Sequence, residues 1–247
     1  MTAAPRPLAF AVVDVETTGL DAATDRIVEV AVVRLAADGR VTHEYATTID
    51  PGRSVLLSEV HGLTDELVRG APRFEQAAAA LAARLTGAVL VGHHVAFDVT
   101  FLQAEYDRAG IPMPPFPALC TRTLAERLGR RPEGWNLAAC CAEAGVPAWA
   151  AHTALGDARA AGRLFAVYLA QSRARGWSTL EALGCDPPVA SPRSWRTGAA
   201  FLARQRRRVR VPSAPAPGGS GLLAPAAGLV RRAQPADALQ EGLDDLR

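Results

Sequence analysis

Three short segments hold the side chains best able to do chemistry. In LAFAVVDVETTGL, residues 8–20, an apolar run ends with Asp14 and Glu16 on either side of Val15. Side chains alternate along a strand, so the two acids leave one face while Val15 leaves the other. Two carboxylates at the end of a central strand lose hydration and repel one another, a cost ordinarily offset by a cation. The second segment, LVGHHVAFDVTFLQAEY, sets Asp98 in the first turn of an expected helix whose Phe97, Phe101 and Leu102 seek the core. In the third, HTALGDARAAGRLF, His152 precedes a helix and Asp157 lies near its beginning; Ala160 and Ala161 are small enough to let that helix approach a sheet closely. Taken singly, each has an ordinary account: a strand-end acid facing solvent, a helix-start acid favoured by the macrodipole, a His–Asp spacing of no specificity.

The elements that must position these groups follow from hydrophobic period. Residues 8–14 read as a buried central strand and IVEVAVVRL, residues 27–35, as a second. Asp38-Gly39 marks a hairpin into a third strand, VTHEYATTI. After Pro72, FEQAAAALAARL is a strong helix former, followed by AVLVG as a short buried strand and a helix over residues 95–108. A short strand near residues 116–120 precedes helices around 123–128, 137–144 and 155–170. Strands first, then helices alternating with strands, predict an α/β fold with a mixed sheet covered by helices.

Composition sets the frame. At 247 residues and 49% hydrophobic, the chain can bury one full-sized core and carry an appendage. It shows no basic-apolar-small leader pattern and no apolar run of the roughly 18 residues a membrane span needs, so a cytoplasmic protein without a membrane partner is expected. Cys120, Cys140, Cys141 and Cys185 form no CxxC spacing and no disulfide framework, which fits a reducing compartment. Every basic residue is Arg, a sign of codon bias rather than mechanism. Residues 186–247 hold 10 Arg against 5 acids, +5, whereas residues 1–185 hold 17 Arg against 20 acids, −3. The expected division is a catalytic domain at 1–185 and a basic, Pro/Gly/Ala-rich, flexible extension at 186–247, with no internal repeat. A slightly acidic body must meet phosphate through bound metal ions or a local patch rather than bulk charge.

Together, DVETTGL, HHVAFD and HTALGD, in that order and separation, resemble the DEDDh 3′→5′ exonucleases, the superfamily of the bacterial DNA polymerase III epsilon proofreading subunit, oligoribonuclease and RNase T. The resemblance covers roughly residues 8–172 and extends to IVEVAVV and VHGLTDE. It implies a ribonuclease H-like fold, a five-stranded mixed sheet flanked by helices. It also implies that Asp14, Glu16, Asp98 and Asp157 are the metal-binding acids, that His152 is the general base, and that His61 contacts the terminal nucleotide. Thr17, Thr18, Gly19 and Leu20 match the segment that holds that nucleotide, Leu20 as a wedge against its base, and Phe97 joins the substrate contacts. One departure stands at the second motif: the family commonly reads HNxxFD, and this chain has His94 where Asn is usual, so the hydrogen bonding behind Asp98 is expected to differ.

The implied chemistry is phosphodiester hydrolysis. Two Mg²⁺ or Mn²⁺ ions about 3.5–4 Å apart would activate water and steady the departing 3′-oxygen, and an all-oxygen donor set suits such hard cations. An imidazole titrating near neutrality could take the water's proton. The expected activity is removal of nucleoside 5′-monophosphates from single-stranded or frayed DNA ends in replication or repair. An oligoribonuclease-type activity on short RNA and a non-catalytic nucleic-acid or polymerase-binding module of the same fold are the rivals. His43 is expected on the sheet surface, His93 as a structural histidine, Cys140-Cys141 in the core, and Trp135, Trp149 and Trp177 as packing residues. RQRRRVR, residues 204–210, could grip phosphates or be a solvated charge run. The terminal LQEGLDDLR faintly resembles peptides that bind a sliding clamp, so a clamp or a polymerase subunit is a partner to test.

Overall fold

The computed structural model describes residues 9–113 and 116–185. Five strands form one sheet: β1 (Phe10–Thr17), β2 (Ile27–Leu35), β3 (Val41–Thr48), β4 (Val89–Gly92) and β5 (Ala118–Cys120), in the order β3-β2-β1-β4-β5. β1, β2 and β3 pair antiparallel, whereas β4 and β5 run parallel with β1. The hairpin between β2 and β3 turns at Gly39, whose φ of 88° glycine adopts without Cβ strain. β1 is central, and its Phe10–Val13 run is buried on both faces as a covered strand requires.

The seven helices are α1 (Ser58–His61), α2 (Asp65–Val68), α3 (Phe74–Leu85), α4 (Ala96–Arg108), α5 (Thr121–Arg127), α6 (Leu137–Glu143) and α7 (Ala154–Ala174) among the described residues. Strand alternation divides them. Phe10 and Val12, with Ala31, Val33, Val89 and Val91, face the layer built from α5, α6 and α7. Ala11, Val13 and Val15, with Val30, Val32 and Leu90, face α3 and α4. Helix α7 lies directly on its face: Gly162 sits over Val12, and a Cβ there would make ordinary van der Waals contact with Val12 Cγ2 at 3.5 Å. Phe165 packs edge-on against Phe10, ring centroids 4.7 Å apart.

The expected mixed sheet flanked by helices is the observed one. Helix α7 runs past the expected residue 170, capped at its start by Thr153 and followed by Gly176 at φ 78°. Helices α1 and α2 occupy a stretch for which the sequence pattern gave no element. Helix α5 starts at Thr121, directly from β5, rather than near 123. At 21 residues, α7 is ~30 Å long. At its far end Arg127 and Arg175 flank the Trp177 ring at 5.8 and 5.7 Å, and Gly184 lies against Arg127. No helix among the described residues is long and apolar enough to cross a membrane. The extension at 186–247, with RQRRRVR and LQEGLDDLR, lies outside the described residues.

Candidate active site

The site forms where β1 outlasts its neighbour. Pairing of β1 with β4 covers only Phe10, Ala11 and Val12, so Asp14 to Thr17 continue without that partner. Ala9 O accepts from Val89 N, which sets the odd-numbered peptide groups of β1 toward β4. Val15 N therefore faces the opened edge, where Asp98 Oδ1 accepts it at 3.1 Å. Asp98, in the first turn of α4 and 5% exposed, thus fastens that helix to the peptide between the two strand acids.

Asp14 and Glu16 leave β1 on the α7 side, the face shared by Phe10 and Val12. One oxygen from each of Asp14, Glu16 and Asp157 lies within 4.8 Å of the other two. The site thus unites three of the four expected ligands, with Asp98 bonded to the intervening backbone rather than inside that mutual set. Glu16 and Asp157 are buried and Asp14 is partly exposed.

A further acid comes from β2. Glu29 pairs with Glu16 across the strands and, sharing the parity of Ala31 and Val33, faces the same helix. Its Oε2 accepts from Ala154 N at 2.8 Å, tying β2 to the first residue of α7. Burial raises the Glu29 pKa, the Ala154 N–H opposes that, and Glu16 and Asp157 raise it further. Burial likewise raises the Asp157 pKa; N–H donors from Trp149 and His152 pull it down, while Glu16 pushes it up. Clustered, buried carboxylates form the donor set a hard divalent cation fits, since a cation reverses the repulsion and offsets the lost hydration.

His152 sits at φ 64°, a left-handed conformation uncommon for a residue with a Cβ. Asp157 holds it there: Oδ2 accepts His152 N at 2.9 Å, while Oδ1 accepts Trp149 Nε1 at 2.5 Å. Gly156 makes the loop possible, because a Cβ there would stand 2.5 Å from Ala150 O and 2.6 Å from Thr153 Oγ1. The residue that resembles a metal ligand therefore also seats the loop bearing the residue that resembles the base.

Thr17 Oγ1 donates to Gly19 O at 2.6 Å, and Thr18 Oγ1 donates to Asp25 Oδ1 at 3.0 Å. A Cβ on Gly19 would fall 2.3 Å from the Asp25 carboxylate, so the turn closes tightly around that acid. Both threonines are fully buried, and Leu20 at the tip is 43% exposed. His61 is buried at the end of α1, its Nδ1 accepting from Leu63 N, which leaves the proton of the neutral ring on Nε2. Phe97 is half-buried against Phe101, centroids 4.8 Å apart.

His94, at the departure from the family pattern, has φ 68° and donates its N–H to Cys120 Sγ. Asn and His are both enriched in that left-handed region, so the backbone accepts either residue. His93 is structural as expected: Thr121 Oγ1 lies 2.8 Å from Nδ1 and Trp135 O lies 2.7 Å from Nε2, and burial pushes its pKa down to about 4. His43 is exposed on β3, and Cys140 and Cys141 are core thiols that burial pushes up to about 11 and about 12. Trp149 does more than pack, since its indole bonds a site acid. Sequence reasoning passed over Glu29, although the one acid of the otherwise mostly apolar strand IVEVAVVRL was a usable signal. For Trp149 the sequence held no such signal.

Residues 11–165 match the family model described as Exonuclease, RNase_T. Among curated proteins the chain is 36% identical over 182 residues to a DNA polymerase III subunit epsilon-like protein of Rhodobacter capsulatus, covering 71% of this chain and 26% of that one. It is 33% identical over 162 residues to a PolC-type DNA polymerase III of Streptococcus suis, covering 65% of this chain. The match spans only 11% of that polymerase's length. Among solved structures, Exonuclease X with 5′-overhanging duplex DNA superposes at TM-score 0.55 and 24% identity, over 70% of this chain and 96% of that one. Escherichia coli Exonuclease I with a dT13 oligonucleotide superposes at TM-score 0.58 and 16% identity, over 68% and 42%. At these identities the structural likeness shows the ribonuclease H-like fold.

Proposed function

The chain belongs to the exonuclease family, and on that premise we propose that it is a divalent-metal-dependent 3′→5′ exonuclease acting on single-stranded or frayed DNA ends in replication proofreading or repair. The observation that carries the reading is the approach of Asp14, Glu16 and Asp157 within 4.8 Å, beside Asp98. These four carboxylates would hold two divalent ions, Mg²⁺ or Mn²⁺. Such ions supply a polarised attacking water and charge relief for the scissile phosphate and the departing 3′-oxygen. His152, its backbone fixed on Asp157, takes the proton from the attacking water. The turn from Thr17 to Leu20 receives the terminal nucleotide, with the exposed Leu20 against its base and His61 and Phe97 as further contacts. The catalytic unit is residues 1–185.

The epsilon-like and PolC-type names of the relatives support DNA as substrate, a polymerase subunit as partner and a cytoplasmic setting, while a sliding clamp as partner rests on the LQEGLDDLR peptide alone. The test is end-labelled single-stranded DNA and RNA, offered separately with Mn²⁺ and again with EDTA. The expected result is stepwise shortening of DNA from its 3′ end, release of nucleoside 5′-monophosphates, and no reaction in EDTA. Preferential turnover of short RNA would assign the oligoribonuclease-type activity instead. Turnover of neither, or turnover that survives EDTA, would overturn the reading.

A further inference from the structure

Trp149 lies on the loop between α6 and α7, half-buried against the core layer beneath α7. An indole N–H can only donate, and many neighbouring carbonyls or waters could accept it. Here it meets Oδ1 of Asp157 at 2.5 Å while His152 N meets Oδ2 at 2.9 Å. The carboxyl torsion of an aspartate is broad and roughly two-fold, so an unrestrained Asp157 could turn its oxygens away from Asp14 and Glu16. Two donors on opposite oxygens remove that freedom. Each oxygen keeps a lone pair for a cation. The two donors differ in kind, because a peptide N–H is present whatever residue stands at 152, whereas the indole depends on one side chain.

Other bonds fix the helix itself. Glu29 Oε2 holds Ala154 N, and Thr153 Oγ1 holds Gly156 N, so the first turn of α7 is secured without Trp149. Loss of the indole N–H would therefore release the carboxylate without displacing the helix. We propose that Trp149 is a positioning residue for the cation site, fixing the plane of the Asp157 carboxylate so that its oxygens converge with those of Asp14 and Glu16. This rests on the metal-dependent reading above.

The test is Mn²⁺ binding to the full chain by titration calorimetry without nucleic acid, for the wild type, Trp149→Phe and Trp149→Gln, the last keeping an N–H donor. Trp149→Phe is expected to bind roughly tenfold more weakly, the usual loss when a group that orients a metal ligand is removed, and Trp149→Gln to recover most of the affinity. Mn²⁺ should also quench a component of wild-type tryptophan fluorescence that is missing from Trp149→Phe. Circular dichroism and the metal-free melting temperature confirm that the variants fold. Wild-type affinity in Trp149→Phe, or equal losses in Phe and Gln variants, would overturn the proposal while leaving the exonuclease reading intact. A wild type that binds no Mn²⁺ would overturn both.

Discussion

Carboxylates held as close as Asp14, Glu16 and Asp157 oppose the folded state until positive charge joins them. Asp14→Ala is therefore expected to abolish hydrolysis, by at least ~100-fold, while the metal-free melting temperature stays level or rises. Activity assays and thermal melts check both halves. His152 should be replaced by Asn rather than Ala, since Asn tolerates φ 64°. His152→Asn should lose about 10²–10⁴-fold in rate, the range for a general base, yet keep Mn²⁺ affinity, because Asp157 bonds only its peptide N–H. His93 makes a separate prediction about acid. With its pKa at about 4 in the fold against 6.5 unfolded, the unfolded chain binds the proton first. Its stabilising share is thus complete above 6.5 and fades as pH falls toward 4, by up to about 3 kcal/mol. His93→Gln should flatten that part of the pH–stability curve measured by urea melts. At this scale the acids were legible because strand parity and segment order expose them. Glu29 stands out in sequence as an acid in an apolar strand, but its place in the site follows from its register with Glu16, and Trp149 emerges only through the path of a loop.

At the scale of elements, the site depends on ends: β1 beyond Val12, the first turn of α4, and the first turn of α7. Hydrophobic period located all three because apolar runs are long and strongly patterned. It placed their ends less well, because ends are decided by caps and close contacts. Thr153 and Gly176 set the extent of α7, and β5 passes straight into α5. The two short helices at 58–68 carry too few residues for a periodic signal. Gly156 shows how much rests on a missing atom. Gly156→Ala gains about 1 kcal/mol in helix propensity but drives a methyl into Ala150 O, and the overpacking costs about 1–3 kcal/mol. The expected net result is a lower melting temperature together with weaker Mn²⁺ binding, read from one sample by melt and calorimetry.

For the whole molecule, strand parity gives the sheet two apolar faces for helical cover, and the same parity delivers Asp14, Glu16 and Glu29 to the side where α7 brings Asp157. A chain truncated after Cys185 should hydrolyse short oligonucleotides at the full-length rate, since every group proposed for the chemistry precedes that point; loss of turnover would move the boundary. Helix α7 separates two neighbourhoods by its ~30 Å length. Its opening turn carries the acid, and its closing turn lies where Arg127 and Arg175 bracket Trp177 and the backbone proceeds past Gly184. Chemistry and Cys185 thus lie at opposite ends of one helix. A bulky protein fused directly after Cys185 would stand behind the acids and leave the approach to Asp157 unobstructed.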